Sequence, residues 1–247
     1  MPVICAAVIP CLNEGAGIAA LVSALRQQVS LVLVVDDGST DETALLAEDA
    51  GATAILHERN RGKGAALQSG LSQLLKQGFE WAVTLDGDGQ HSPEDLPALL
   101  RCAEQTGALL VIGNRMDNAH AMPWLRRQVN RWMSRKISQR AGQPLPDTQS
   151  GFRLIHLQTW AALPLKTERF EVESETLMAF LAAGRRVEFV PVRVINSRRS
   201  SRIHPVADSL RWLRWWRNFG RLPASCDPAG SAIPSSLPAA AQTEMPR

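Results

Sequence analysis

The four cysteines of this 247-residue chain (Cys5, Cys11, Cys102 and Cys226) are scattered and form no C-x-x-C pair. No structural zinc site is therefore expected, and the thiols read as reduced side chains of a cytosolic protein. Long apolar runs are also missing: no stretch approaches the roughly 18 residues that a membrane-spanning helix needs, so the chain is not expected to cross a membrane by itself. The N-terminal MPVICAAVIP is apolar but short and carries no basic leader; it reads as a buried first strand and not as a signal peptide. An excess of one charge is lacking too, since the formal net charge is only +3. The charge that is present is unevenly placed. From Arg126 to Arg140 there are six basic residues and no acid, and from Arg198 to Arg221 seven Arg stand against the single Asp208. Basic surfaces of this kind attract phosphates or anionic lipid.

The length suits one large domain with a full core. Strand and helix patterns alternate through the first half. Val3–Ile9 is a continuous apolar run, as expected of a strand buried on both faces. The patterns then predict a helix over 18–26, a strand over 31–35, a helix over 41–50 capped by Ser39 or Thr40, and a strand over 52–56. A helix over 64–76, a strand over 81–85, a helix opened by Ser92 and Pro93, and a strand over 109–112 follow. Later come a polar loop at 147–155 running into an apolar segment, a helix over 175–183, a strand over 187–195 and an amphipathic basic helix from Pro205 to Leu222. Proline recurs among Ser, Ala and Gly from Pro223 onward, which predicts a disordered tail over 223–247. Alternating strands and helices imply βαβ units and a mainly parallel sheet, whose ligands bind at the carboxyl ends of the strands.

Three polar loops fall at such ends. TLDGDGQHSPEDL (84–96) sets Asp86 and Asp88 one residue apart after an apolar strand, with Gln90 and His91 behind them. A turn needs one Asp at most. Two carboxylates there suit Mg²⁺, a hard cation that keeps water and substrate phosphates in its shell. VVDDGSTDET (34–43) puts Asp36 and Asp37 before a glycine, where an acceptor for a nucleobase or ribose fits. NRGKGAAL (60–67) fails the P-loop spacing, and Lys63 reads equally as a surface residue.

VIPCLNE, VVDDGSTDET, NRGKGAAL, LDGDGQH, GNR and DTQSGFR, in this order and spacing, resemble the family 2 glycosyltransferases with the GT-A fold, in particular the polyprenyl-phosphate (dolichol-phosphate-type) sugar transferase branch. The resemblance covers roughly residues 3–205. It implies an α/β GT-A domain over 1–204, a mainly parallel central sheet flanked by helices, and a substrate that is a nucleotide-diphosphate sugar. It assigns the nucleoside to Pro10, Leu12, Glu14 and Asp37, and the metal (Mg²⁺ or Mn²⁺) with the diphosphate to Asp86, Asp88 and Gln90. Lys63, Gly87, Arg115 and Arg202 join the donor site by the same match. Asp147 would be the base if the acceptor is an alcohol, and a positioning residue if it is a phosphate. Arg126, Arg127, Arg131 and Arg135 are placed to meet a lipid phosphate, with Ser150 on the acceptor side. Leu12 stands where the family usually has an aromatic residue.

A membrane lipid or polyprenyl-phosphate acceptor implies a peripheral location on the inner face of the cell membrane. The helix at 205–222 would either lie at a bilayer surface or pack its Trp residues on the domain. Other classes share some of these features. A nucleotidyltransferase acting on sugar phosphates uses a similar metal site, and a non-catalytic lipid-phosphate binder would explain the Arg clusters. Nucleic acid is not an expected partner, because the acidic loops would repel its backbone.

Overall fold

The computed structural model describes residues 5–117, 122–195 and 205–219. Arg202 and the tail at 223–247 lie outside them. The elements run β1 (Cys5–Cys11), α1 (Gly15–Arg26), β2 (Val32–Asp36), α2 (Thr43–Asp49), β3 (Thr53–Leu56), α3 (Lys63–Lys76) and β4 (Trp81–Thr84). After a short 3₁₀ turn at Pro93–Asp95 come α4 (Leu96–Thr106), β5 (Leu110–Asn114), α5 (Trp124–Ala141), β6 (Arg153–His156), α6 (Leu157–Ala161), α7 (Val172–Ala182), β7 (Val187–Pro191) and α8 (Pro205–Asn218).

The strands form one sheet in the order β3-β2-β1-β4-β6-β5-β7. All neighbours are parallel except β6, which runs antiparallel to both β4 and β5. Alternate strand residues point to opposite faces. Ala7, Ile9, Val32, Val34 and Val83 meet α1, α2 and α4 on one side. Ala6, Val8, Leu33, Val35 and Ala82 meet α3, α5, α7 and α8 on the other. Helix α3 comes so close that a Cβ on Gly70 would sit 2.5 Å from Val8 Cγ1.

Pro10 lies inside β1, where a missing N–H normally breaks a ladder. Ala7 N donates toward β2, to Leu31 O, so the nitrogen of residue 10 faces β4. The β1–β4 ladder ends at Val8–Thr84, so the proline falls past its last pair.

Helix α8 packs on the domain. Trp212 is 2% exposed, stacks on Trp216 at 5.3 Å between ring centroids, and donates its Nε1–H to Ser174 Oγ. Arg140 of α5 lies over the Trp216 ring and donates to the carbonyls of Trp216 and Phe219. Between the two placements open from the sequence, Trp212 and Trp216 take the packed one.

Candidate active site

The loops after β1, β2 and β4 meet at one edge of the sheet, and short polar side chains join the first two. Asp36 Oδ1 accepts from Ser39 N, and Ser39 Oγ accepts from Asn13 N, both at 2.7 Å. Asn13 holds φ +52°, a left-handed backbone that Asn tolerates well. Glu14 N donates to Thr43 Oγ1. Asp36, Ser39 and Thr43 are thus committed to loop architecture. Neither Ser39 nor Thr40 caps α2, because Asp41 Oδ1 receives the Thr43 N–H instead.

Asp37 lines the cleft that these loops border, and Asp36 does not. Its Oδ1 accepts from His57 Nδ1 at 2.6 Å and Arg61 N at 2.9 Å, and its Oδ2 accepts from Gly62 N at 2.7 Å. The cleft has a volume of about 880 Å³. Pro10, Leu12, Glu14 and Asp37 wall one end, and Asp86, Gly87 and Asp88 form its floor.

Lys63 is not a surface residue. Its Nζ lies 2.5 Å from Asp86 Oδ1 and 2.5 Å from Glu173 Oε1 of α7. Burial alone would favour the neutral amine, but the two carboxylates outweigh it and hold Lys63 well above the usual lysine range. Burial would likewise raise the Asp86 carboxyl; Lys63 and His91 override it and keep Asp86 ionised far into acid. The glycines of the 60s loop serve packing. A Cβ on Gly64 would sit 2.5 Å from Thr167 O, and Ala65 N donates to Glu168 O. The amino end of α3 is therefore closed by a protein carbonyl, and it is not an open phosphate cradle. Gly87 and Gly151 are forced by close approach as well: a Cβ on the first would meet Cys11 Sγ at 2.8 Å, and on the second Asp86 Oδ1 at 2.5 Å.

Asp88 is the half-exposed acid of the floor. It accepts one hydrogen bond, from Gln90 N, and has no ion-pair partner among the described residues. No group of three or more His, Cys, Asp or Glu that could hold a metal is found among them. That suits an ion such as Mg²⁺, which takes one or two carboxylates from protein and the rest from phosphate and water. The donor set fits with Asp88 as the principal ligand, since Asp86 is tied to Lys63. Gln90 Oε1 accepts from Arg126 Nη1 at 3.0 Å.

Behind the floor lies a buried layer that holds three of the residues singled out from the sequence. Asp147 is fully buried and outside the cleft wall; it accepts from Arg115 N, Nε and Nη2 and from Gln149 N. Burial would raise its carboxyl, but the Arg115 guanidinium holds it below the usual range. Arg115, 3% exposed, gives its Nε and Nη2 to that pair. Ser150 is fully buried as well. Beside them Arg153 donates to the carbonyls of Ser150, Glu173 and Thr148, fastening the 148–150 loop to α7.

The far wall of the cleft comes from α5, the 166–171 segment and α8. Leu125, Val129, Met133, Phe170 and Trp212 give it an apolar surface, with Arg126, Arg169 and Arg211 among them. On α5 it is Arg126 that faces the cleft; Arg127 and the exposed Arg131 do not. The sequence reading passed over His57, Glu173 and Phe170. Glu173 had a signal: Glu171, just before α7, and Glu173 and Glu175 in its first turn alternate ahead of an apolar run, and all three are buried. On α7, which is buried on every side, such acids need partners. Glu173 has Lys63, and Glu175 accepts from Lys166 N and Thr167 N.

Comparison with known proteins bears on the family and the fold. Residues 6–158 match the family model "Glycosyl transferase family 2". The chain is 30% identical over 194 residues to the uncharacterized protein MJ1222 of Methanocaldococcus jannaschii, covering 76% of this chain and 80% of that one. It is 28% identical to the UDP-N-acetylglucosamine–dolichyl-phosphate N-acetylglucosaminyltransferase of Methanococcus voltae (76% and 84% covered). It is 31% identical to the undecaprenyl-phosphate mannosyltransferase of Micrococcus luteus (76% and 82%). Among solved structures, glucosyl-3-phosphoglycerate synthase of Mycobacterium tuberculosis with Mn²⁺, UDP and phosphoglyceric acid superposes with a TM-score of 0.63 at 22% identity, covering 85% of this chain and 74% of that one. The loops at the strand ends, the carboxylates of the floor and the family match together make this chain a member of the family 2 glycosyltransferases, with the GT-A fold and a likeness to the polyprenyl-phosphate sugar transferases.

Proposed function

We propose that the protein moves a sugar from a nucleotide-diphosphate sugar to a membrane-associated phosphate acceptor of the polyprenyl-phosphate type, with inversion at the anomeric carbon. The observation that carries this reading is the gradient along the cleft. Acidic residues of the β1 and β2 loops line the cleft on one side of the Asp88 loop, and on the other side Arg126, bonded to Gln90, borders an apolar wall on α5. A nucleoside with hydrogen-bond donors suits the first side, and a phosphate on a long apolar chain suits the second. The relatives named for dolichyl- and undecaprenyl-phosphate transfer support the same choice.

In this reading Asp37 takes a donor group of the nucleoside, and Asp88 holds the divalent ion beside the diphosphate. Bound there, Mg²⁺ or Mn²⁺ would neutralise the negative charge growing on the leaving nucleoside diphosphate. Lys63 fixes Asp86 from behind, which keeps the loop that carries Asp88 in place. Arg126 supplies a cation for the acceptor phosphate. Burial disfavours its charged form, and nearby Arg115 adds to that; an incoming dianion would relieve both effects. A phosphate nucleophile is already ionised near neutral pH, so no base is required, consistent with the burial of Asp147.

No helix among the described residues is long and apolar enough to cross a membrane. Trp124, Leu125 and Leu210 are nonetheless more than half exposed, at 66%, 55% and 62%, and Leu125 is part of the cleft wall itself. With the Arg residues of α5 and α8 they suit a peripheral seat on the inner face of the cell membrane.

The test is a panel of nucleotide sugars assayed for Mn²⁺-dependent release of nucleoside diphosphate, with polyprenyl phosphate, polyprenol or 3-phosphoglycerate as acceptor. Release that requires polyprenyl phosphate supports the proposal. Release with 3-phosphoglycerate alone would assign a small soluble acceptor instead.

A further inference from the structure

His57 and Ser69 belong to neither the metal floor nor the acceptor wall, yet they sit directly behind Asp37. His57 follows β3, and its side chain is only 5% exposed. Its Nδ1 lies 2.6 Å from Asp37 Oδ1, and its Nε2 lies 3.0 Å from Ser69 Oγ on α3. A carboxylate can only accept, so Nδ1 carries the proton. In the neutral ring Nε2 is then left to accept from the Ser69 hydroxyl. The chain Ser69–His57–Asp37 thus has one consistent direction of donation, from α3 to the cleft.

The surrounding backbone is fitted to the same purpose. Gly38 holds φ +80°, and a Cβ there would sit 2.7 Å from the carbonyl carbon of Arg59. The turn after Asp37 is therefore pressed against the 59–60 segment. Arg61 N and Gly62 N complete the ring of donors on the Asp37 carboxylate. An aspartate held by three donors from below cannot rotate, and it presents one fixed acceptor edge to the cleft.

We infer that His57, with Ser69 behind it, is a positioning residue for nucleoside recognition. It fixes the Asp37 carboxylate in the orientation that accepts from an N–H of the base or a ribose hydroxyl. This rests on the proposed nucleotide-sugar donor. Preorganisation of this kind acts on binding of the nucleoside and leaves the metal-diphosphate part of the site alone.

The experiment measures calorimetric binding of UDP and GDP, with Mn²⁺, to the full chain. Inorganic pyrophosphate with Mn²⁺ serves as the nucleoside-free control. His57→Phe keeps the bulk and removes both hydrogen bonds; the preferred nucleoside diphosphate should bind about tenfold more weakly, with pyrophosphate affinity unchanged within twofold. His57→Asn, which can return an N–H to Asp37, should recover most of the loss. Ser69→Ala tests the outer link in a variant expected to fold, and should weaken nucleoside diphosphate by about threefold. Undiminished nucleoside diphosphate binding in His57→Phe and Ser69→Ala would overturn the inference. So would an equal loss for pyrophosphate, which would make His57 a purely structural residue. If the wild-type chain binds pyrophosphate but neither nucleotide, the donor reading beneath the inference fails first.

Discussion

Replacing Asp147 by Asn separates a catalytic role from a structural one. Asp147 and Arg115 are 0% and 3% exposed, joined by bonds of 2.8 and 2.9 Å, and Asp147 also takes two backbone N–H groups. Removing the carboxylate charge leaves a buried guanidinium without its partner, a change that costs about 3–5 kcal/mol. For a domain of this size that lowers Tm by roughly 10 °C. Urea denaturation should show the loss as a lower midpoint at unchanged slope. The double replacement Arg115→Met with Asp147→Leu should recover part of it, because neither charge of the pair is left unpartnered while the N–H groups of Arg115 and Gln149 lose their acceptor. Turnover per folded molecule of Asp147→Asn, assayed well below its Tm, should fall by less than about tenfold; loss of a general base costs about 10²–10⁴-fold. An Asp147→Asn protein of wild-type Tm whose turnover has dropped a hundredfold or more would refute the reasoning and restore Asp147 as the base.

Other consequences are equally direct. Gly151→Ala would drive a Cβ to 2.5 Å from Asp86 Oδ1; it should weaken Mn²⁺-dependent turnover by more than tenfold, which steady-state assays will show. Arg126→Gln should raise the KM for the phosphate acceptor about tenfold while leaving nucleoside diphosphate affinity within twofold, a split that calorimetry and kinetics together resolve. Trp212→Ala should cost about 3–5 kcal/mol of stability, whereas Leu210→Ser, at a site 62% exposed, should change stability by no more than about 0.5 kcal/mol and reduce partition onto anionic liposomes. Asp86 and Asp147 both titrate below their ordinary 3.8 when folded, so the unfolded chain takes up protons first. Their contribution to stability is complete above pH 3.8 and is lost as the pH falls through the lower folded values; denaturation midpoints across acid pH will locate that loss.

The sequence made the parallel part of the fold legible for a physical reason. Strands β1, β2 and β4 are buried on both faces and read as unbroken apolar runs, so their ends, and the loops of the site, could be placed. The second half hid its structure. Strand β6 is inserted antiparallel between β4 and β5, and a four-residue strand leaving a polar loop has no period of its own. Helix α5 was visible only as a basic cluster, because among its buried residues Asn130 and Ser134 are polar. The site divides in the same way. Asp86, Asp88 and Asp37 announce themselves by type and position. The pairing of Arg115 with Asp147, 32 residues apart, and the hold of Glu173 on Lys63 depend on tertiary packing that no local pattern encodes. The burial of Arg115, Asp147 and Ser150 is likewise set by packing that a motif does not carry.

The central claim is that Asp88 organises sugar transfer from a nucleotide sugar to a lipid phosphate. Its most direct test is the Mn²⁺-dependent formation of a lipid-linked sugar, detected by mass spectrometry, from a nucleotide sugar and polyprenyl phosphate in anionic vesicles. Wild-type protein should form the product with inverted anomeric configuration. Asp88→Ala, whose half-exposed side chain makes one backbone hydrogen bond, should keep its Tm and lose at least a hundredfold in rate. Full activity in Asp88→Ala, or no product from any nucleotide sugar with the wild type, would contradict it.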